Sequence, residues 1–342
     1  MFLSIYCLLV ITISAQSPSP TPIVHKKIHR WIDIETLSAA TRYRYVETDG
    51  GQTASIQQYQ LVARVRFKFD SKGKYSVVAG MAPGNSITSG WNLTGWGTGD
   101  AQGDFNVKQL FLEAKPIKPL EIQFGGIAPN NGENTEITGY DNDVYLMGER
   151  VRILHPKKLY FDEISATNAF IGDPTRPNVF RRFNRLAESN YHQILVHKTV
   201  NKRASFSADY TFDSGTDTLR QAVKVNVPEL KLVDSLRFEN YERIDPQPGY
   251  GFGLTGEKKV TPKLSFIGGV TKISHAMLNG DRYPRGTRLF LGGTYKITRE
   301  LSINPILIQG VGPLPTAATP RTRFEIIATY NFLEALHHLH IF

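Results

Sequence analysis

The chain has 342 residues, enough for two ordinary globular domains or one large barrel, with 21% charged residues and a formal net charge of +9. Beyond its N-terminus no stretch approaches the roughly eighteen uninterrupted apolar residues of a spanning helix, which excludes a helical inner-membrane protein. Cys7 is the only cysteine, so nothing after it can form a disulfide or a thiolate metal site.

Residues 1–15 (MFLSIYCLLVITISA) are an apolar run too short and too abruptly ended to span a bilayer as a helix. They read as a secretory signal with cleavage near Ala15–Gln16, a buried N-terminal strand being the alternative. Residues 16–30 form a Pro/Ser-rich and then basic segment, starting QSPSPTP, of extended character.

From Trp31 onward the apolar pattern has a period of two and not the helical period of about 3.6. Arg42 and Arg44 alternate with Tyr43 and Tyr45. In residues 59–69 (YQLVARVRFKF), Tyr59, Leu61, Ala63, Val65, Phe67 and Phe69 alternate with a face that carries Gln60, Arg64, Arg66 and Lys68. Further along, Phe206, Ala208, Tyr210 and Phe212 alternate with small polar residues, and Leu219, Val223 and Val225 with Arg220 and Lys224. Leu289, Leu291 and Tyr295 alternate with Arg288 and Lys296, and Phe324, Ile326, Ala328 and Tyr330 with Arg323 and Glu325. These segments run about 9–11 residues, the length of a tilted strand that crosses a hydrocarbon core.

The connections follow a rule of their own. Tight turns with Pro, Gly, Asn and Lys chemistry fall at residues 70–74, 116–119, 156–159, 201–203, 228–232, 261–263 and 298–300. Between them lie longer, irregular segments, at 84–103, 129–142, 172–190, 274–287 and 310–320. Alternating short and long connections predict a single all-β domain over residues 31–332. It is an antiparallel up-and-down transmembrane β-barrel of about sixteen strands, with both termini on the short-turn side. Residues 333–342 are either a tail or the end of the last strand. A soluble sandwich or propeller would not need the short/long rule.

The last strand, residues 325–332 (EIIATYNF), with outward Ile326, Ala328, Tyr330 and Phe332, resembles the terminal strand of bacterial outer-membrane proteins. With the signal segment and the meander, the chain resembles the porin class of outer-membrane barrels over residues 31–332. The resemblance implies a location in the bacterial outer membrane amid its lipid and lipopolysaccharide, and contact of the last strand with the barrel-assembly machinery. It also implies the option of a homotrimer.

Arginine facing lipid near the midplane costs about 2–4 kcal/mol, so the cationic face must be the inner one. Arg42, Arg44, Arg64, Arg66, Lys68, Arg150, Arg152, Arg220 and Lys224 are the expected pore-lining cations, against fewer inward acids such as Glu121, Asp209, Glu257 and Glu325. In general porins the third loop folds into the lumen and sets acids against a basic wall. The resemblance implies that role for residues 129–143, with Glu133, Glu136, Asp141 and Asp143, a solvated external loop being the alternative.

A charged, narrow pore selects by sign. The function expected is passive diffusion of small hydrophilic solutes, preferentially anions or acidic sugars, and the basic-lumened alginate-export family is a sharper likeness. Trp91, Trp96 and Tyr140 in the loops are candidates to stack on sugar rings. A plugged structural or adhesive barrel is the alternative, and a barrel enzyme acting on lipid comes third. No catalytic residue, metal site or cofactor is implied. His192 and His197, five apart on one strand, fall on opposite faces, without a nucleophile motif beside either. Asp141 and Asp143 stand without a histidine, and His337, His338 and His340 lie in the tail. Basic charge spread along inward faces does not suit nucleic acid.

Overall fold

The structure is a computed structural model that describes residues 27–29, 31–140, 144–156, 159–173, 175–201, 203–274 and 282–338. The expected signal with Cys7, Asp141, Asp143 and His340 lie outside them, as does the side chain of His337.

Sixteen strands build the wall. The first half comprises β1 (Ile32–Thr48), β2 (Thr53–Lys68), β3 (Tyr75–Pro83), β4 (Phe105–Ala114), β5 (Leu120–Ile127), β6 (Leu146–Leu154), β7 (Glu163–Phe170) and β8 (Tyr191–Val200). The second comprises β9 (Ala204–Asp213), β10 (Thr216–Asn226), β11 (Ser235–Asp245), β12 (Gly249–Lys259), β13 (Leu264–Ile273), β14 (Gly286–Lys296), β15 (Leu301–Val311) and β16 (Pro320–Asn331). Each pairs antiparallel with the next, and β16 returns to β1 from Thr48↔Pro320 to Ser38↔Asn331. The wall is thus a closed, all-antiparallel, sixteen-stranded barrel with every strand edge paired, which is what lipid demands of a β protein.

Both chain ends lie on one rim, where all seven inter-strand connections are the tight turns anticipated from the sequence. Aspartates there reach back to free backbone donors: Asp70 accepts from the Tyr75 and Lys72 amides at 2.8 Å, and Asp162 from the Thr199 amide at 2.8 Å. The other rim carries the long connections, but it also has three tight ones, at 49–52, 214–215 and 246–248. The Ser214–Gly215 pair, with φ of +50° and +85°, is the two-residue geometry that matches strand twist.

Outside the sixteen strands, Lys27–His29 pairs with β1 and Asn92–Gly97 with β2. After β16 the chain does not extend the strand. Phe332–His338 forms a short helix, α1, whose Phe332 ring sits edge-on to Tyr330, with centroids 5.0 Å apart.

Side chains divide by face. Leu61, Phe67, Leu112, Phe124, Leu289 and Leu307 are exposed outward, while their neighbours in sequence point in and are buried or half-buried. The interior is not uniformly polar. Tyr241, Ile273, Phe290, Ile306, Ile308 and Ile327 form one apolar cluster inside the barrel, and Val78, Phe111, Leu146, Ala169 and Tyr191 belong to a second.

Candidate functional site

The inner wall carries charge in matched rows, and the short-turn half shows it most fully. Lys68 on β2 pairs with Asp33 on β1. Glu35 receives Arg64 Nε at 2.7 Å and Arg66 Nε at 2.6 Å, and Arg66 continues to Glu113 on β4. Lys115 bridges Glu113 (2.7 Å) and Glu121 (3.3 Å), and Arg152 joins Glu121 (2.8 Å) to Glu163 (2.7 Å). The result is an alternating belt of ion pairs from β1 to β7.

Sequence reasoning expected few inward acids. The structure adds Asp33, Glu35, Glu113 and Glu163, all buried or half-buried. Asp33 and Glu35 escape a simple count because the register of β1 against β2 shifts between Ile34 and Thr36. One extra residue there flips side-chain parity, so Asp33 and Glu35 share the inner face with Arg42 and Arg44.

A second charged group lies higher, where β16 meets β1. Glu325, fully buried, accepts from Arg44 Nε at 2.5 Å and Arg323 Nη2 at 2.7 Å; Arg42 and Arg282 approach it at 3.7 and 3.6 Å. Arg42 also donates to Gln58 Oε1 at 3.0 and 2.6 Å, and its guanidinium lies 4.2 Å from the Trp91 ring. Here cations outnumber acids.

The remaining expected cations sit in polar company. Arg150 donates to Thr167 (2.9 Å), Gln123 (3.1 Å) and the Ala128 carbonyl (2.6 Å). Arg220 donates to Asp209 at 2.9 Å and Lys224 to Glu257 at 3.0 Å.

The segment between β5 and β6 is laid along the inner face of β7 to β12. Asn130 donates to Glu163 (2.8 Å) and Ser165 (3.0 Å), and the Glu133 amide donates to Ser207 Oγ at 2.8 Å. Gly132 makes this approach possible: its φ is +56°, and a Cβ would stand 2.6 Å from Ser207 Cβ. Farther along, the Thr135 amide (2.5 Å) and the Thr138 hydroxyl (3.1 Å) both donate to the buried Glu239 carboxylate. Ile137 packs into the interior cluster of Tyr241 and Phe290. Tyr140 ends the run with its hydroxyl on Asp213 and its ring 6.3 Å from that of Tyr191.

Two of the four expected loop acids can be placed. Glu133 faces His197, whose Nε2 lies 3.2 Å away; with Ser205 and Arg237 nearby, the carboxyl is held down at about 2. Burial and the Asp213 carboxylate push the Tyr140 hydroxyl well above its ordinary range. Glu136 pairs with Arg282 from the β13–β14 connection, and Arg282 in turn faces Glu325. A path of charge therefore runs from the inserted loop to the β16–β1 seam. Of the loop aromatics, Tyr140 is buried and Trp91 covers Arg42, while Trp96 is exposed beside Tyr43 at 5.8 Å. His192 points outward beside Phe212 at 5.8 Å, opposite to His197.

The connection between β7 and β8 lies on the outer side of the wall around Val179. Val179 of that segment packs on Gly126, whose Cβ would lie 2.4 Å from Val179 Cγ2. Gly126 shares its face with Phe124, which is exposed outward, so this connection covers the outside of the wall.

No family model and no curated protein sequence matches the chain. Solved structures do. A Salmonella typhi OmpF in complex with daunomycin is 10% identical over 89% of this chain and 98% of its own, with a TM-score of 0.60. A mutant of the Rh. blastica porin is 11% identical over 88% and 100%, with a TM-score of 0.54. Pseudomonas putida OprB at low pH is 10% identical over 88% and 93%, with a TM-score of 0.54. Identity this low speaks to fold alone, and on that the likeness is plain: the chain folds as a porin-type barrel, closed by sixteen strands.

Proposed function

We propose that the protein is a passive-diffusion channel of a bacterial outer membrane, with a mild preference for small anionic solutes or acidic sugars. The observation that carries this reading is the loop carrying Glu136, laid inside a closed barrel and facing a wall on which Arg42, Arg44, Arg282 and Arg323 surround Glu325. Elsewhere the inner cations Arg64, Arg66, Lys68, Arg152, Arg220 and Lys224 are matched by acids. Selectivity is therefore assigned to the seam cluster and not to the whole lumen, and it is correspondingly weak. Assembly through the last strand and a homotrimeric state belong to the same proposal.

The test is single-channel conductance of the folded protein in a planar bilayer, with the reversal potential read under a salt gradient. Steady openings shifted toward the anion potential are expected. Arg42→Ser with Arg44→Ser leaves Glu325 less compensated and should move the reversal potential toward the cation side. An unchanged reversal potential in that variant would remove the seam cluster from selectivity.

A sealed barrel is the second reading, favoured by the apolar side chains that Ile137 joins inside the wall. Folded protein without conductance would establish it in place of the channel.

A further inference from the structure

Five neighbouring strands set one row of side chains on the outer face of the wall, close below the long-loop rim. In ladder order the row runs Phe124 on β5, Glu149 on β6, Asn168 on β7, His192 on β8 and Phe212 on β9, each directly opposite the next. The three in the middle are polar and exposed. A carboxylate turned toward lipid costs free energy, and ionisable groups at membrane depth mark function by default.

The chain that descends from the rim into β8 adds a hydroxyl to this row. Ser189 Oγ donates to Asn168 Oδ1 at 2.5 Å and lies 3.4 Å from His192 Nε2. Backbone pairing fixes the approach, because the Asn190 amide donates to the Ala169 carbonyl at 3.1 Å. The single hydroxyl hydrogen serves either acceptor by rotation about the C–O bond. Turned to His192, it leaves a serine whose proton a neighbouring base can take, which is how a weak nucleophile is activated. The His192 ring rests beside Phe212, with centroids 5.8 Å apart. Two residues deeper, about 7 Å along the strands, the same face turns apolar, with Val151, Ile194 and Tyr210 all exposed. An acyl chain lying on those side chains brings its ester to the height of Ser189.

We infer that this row is an esterase site that cleaves the acyl ester of a membrane lipid. The inference rests on the membrane placement proposed above and adds a reaction on the outside of a wall whose inside carries solute. Ser189 Oγ attacks the ester carbonyl carbon as His192 Nε2 takes its proton. The bond to the alcohol oxygen breaks, and His192 gives that proton to the departing alkoxide. Water then attacks the acyl-serine and passes a proton to His192. The carboxylic acid leaves as that proton returns to Ser189 Oγ. The Asn168 side chain brings its amide NH2 beside Ser189, a donor of the kind that stabilises the oxyanion. Glu149 keeps the row hydrated, and water is the second reactant.

The experiment measures fatty-acid release from phosphatidylcholine in mixed micelles by the full folded chain. Alongside it, mass spectrometry maps the uptake of an alkyl fluorophosphonate, which bonds covalently to an activated serine. Release is expected, with the label on Ser189. Ser189→Ala should abolish both, and His192→Phe, which keeps a ring beside Phe212, should lower both about a hundredfold. A heat-modifiable electrophoretic band shows that each variant is folded. Folded parent protein with neither release nor label would overturn the site, as would release that persists in Ser189→Ala. Labelling unchanged in His192→Phe would overturn the serine–histidine pair. Conductance is read separately, so a silent barrel that still releases fatty acid refutes the channel and spares this site.

Discussion

Arg44 Nε donates to Glu325 Oε1 at 2.5 Å across the seam where the first barrel strand meets the last, at directly facing positions of the ladder. One carboxylate thus holds the arginines of two terminal strands and of a loop. Glu325→Gln leaves Arg42, Arg44, Arg282 and Arg323 mutually repelling without the carboxylate they share. It should cost about 3 kcal/mol, as breaking a buried pair does. Urea unfolding in vesicles reads that loss, and the reversal potential should move further toward the anion.

Tyr140 and Asp213 fasten the far end of the inserted loop. Tyr140→Phe removes the hydroxyl and leaves a buried carboxylate with one donor fewer, a loss of about 1–3 kcal/mol. The loop end should become mobile, and single-channel current noise should rise while mean conductance changes little. Noise equal to that of the parent would detach Tyr140 from loop anchoring.

Acid should loosen the near end of the same loop. The Glu133 carboxyl has a folded value of about 2 against an ordinary 4.5, held down first by the hydrogen bond from His197. A depressed value means that the stabilisation is complete above 4.5 and is lost as pH falls from there through 2. Current noise or thermal stability followed across that window should change in the parent and stay flatter in Glu133→Gln.

The two faces of β2 should respond oppositely to the same new charge. Leu61 is 41% exposed on the outer face near mid-strand, and Gln60 points inward. Leu61→Arg should cost about 2–4 kcal/mol in a bilayer, whereas Gln60→Arg should cost less than about 1. Equal losses at the two positions would mean that this face does not meet lipid.

Much of this architecture is legible in the sequence because a barrel writes its topology in turns. Pro, Gly or Lys marks six of the seven short connections, Thr298–Glu300 being the exception, and the aromatic–arginine alternation of Tyr59 to Phe69 marks the faces. The long rim is less legible. Ser214–Gly215 closes a hairpin with two residues, so a single Ser-Gly dipeptide is the whole signal of the turn. Alternation fails over Phe105–Ala114 because the register shifts opposite Gly80 and Met81, which sets Lys108 out of phase so that it donates to the Ser86 carbonyl at 3.0 Å. The outer seat of Val179 was hidden for another reason. It depends on a glycine far earlier in the chain, at Gly126, and no local pattern links the two.

The register shift beside Glu35 also sets how this chain can vary. Substitution there changes one side chain, but loss of one residue rotates all of Ile32 to Ile34 by half a turn. Asp33 would then meet hydrocarbon, and Lys68 would lose its carboxylate. The start of the first strand should therefore accept exchanges of residue type while rejecting changes of length. The hairpin at residues 49–52, which ends in solvent at the opposite rim, should tolerate both.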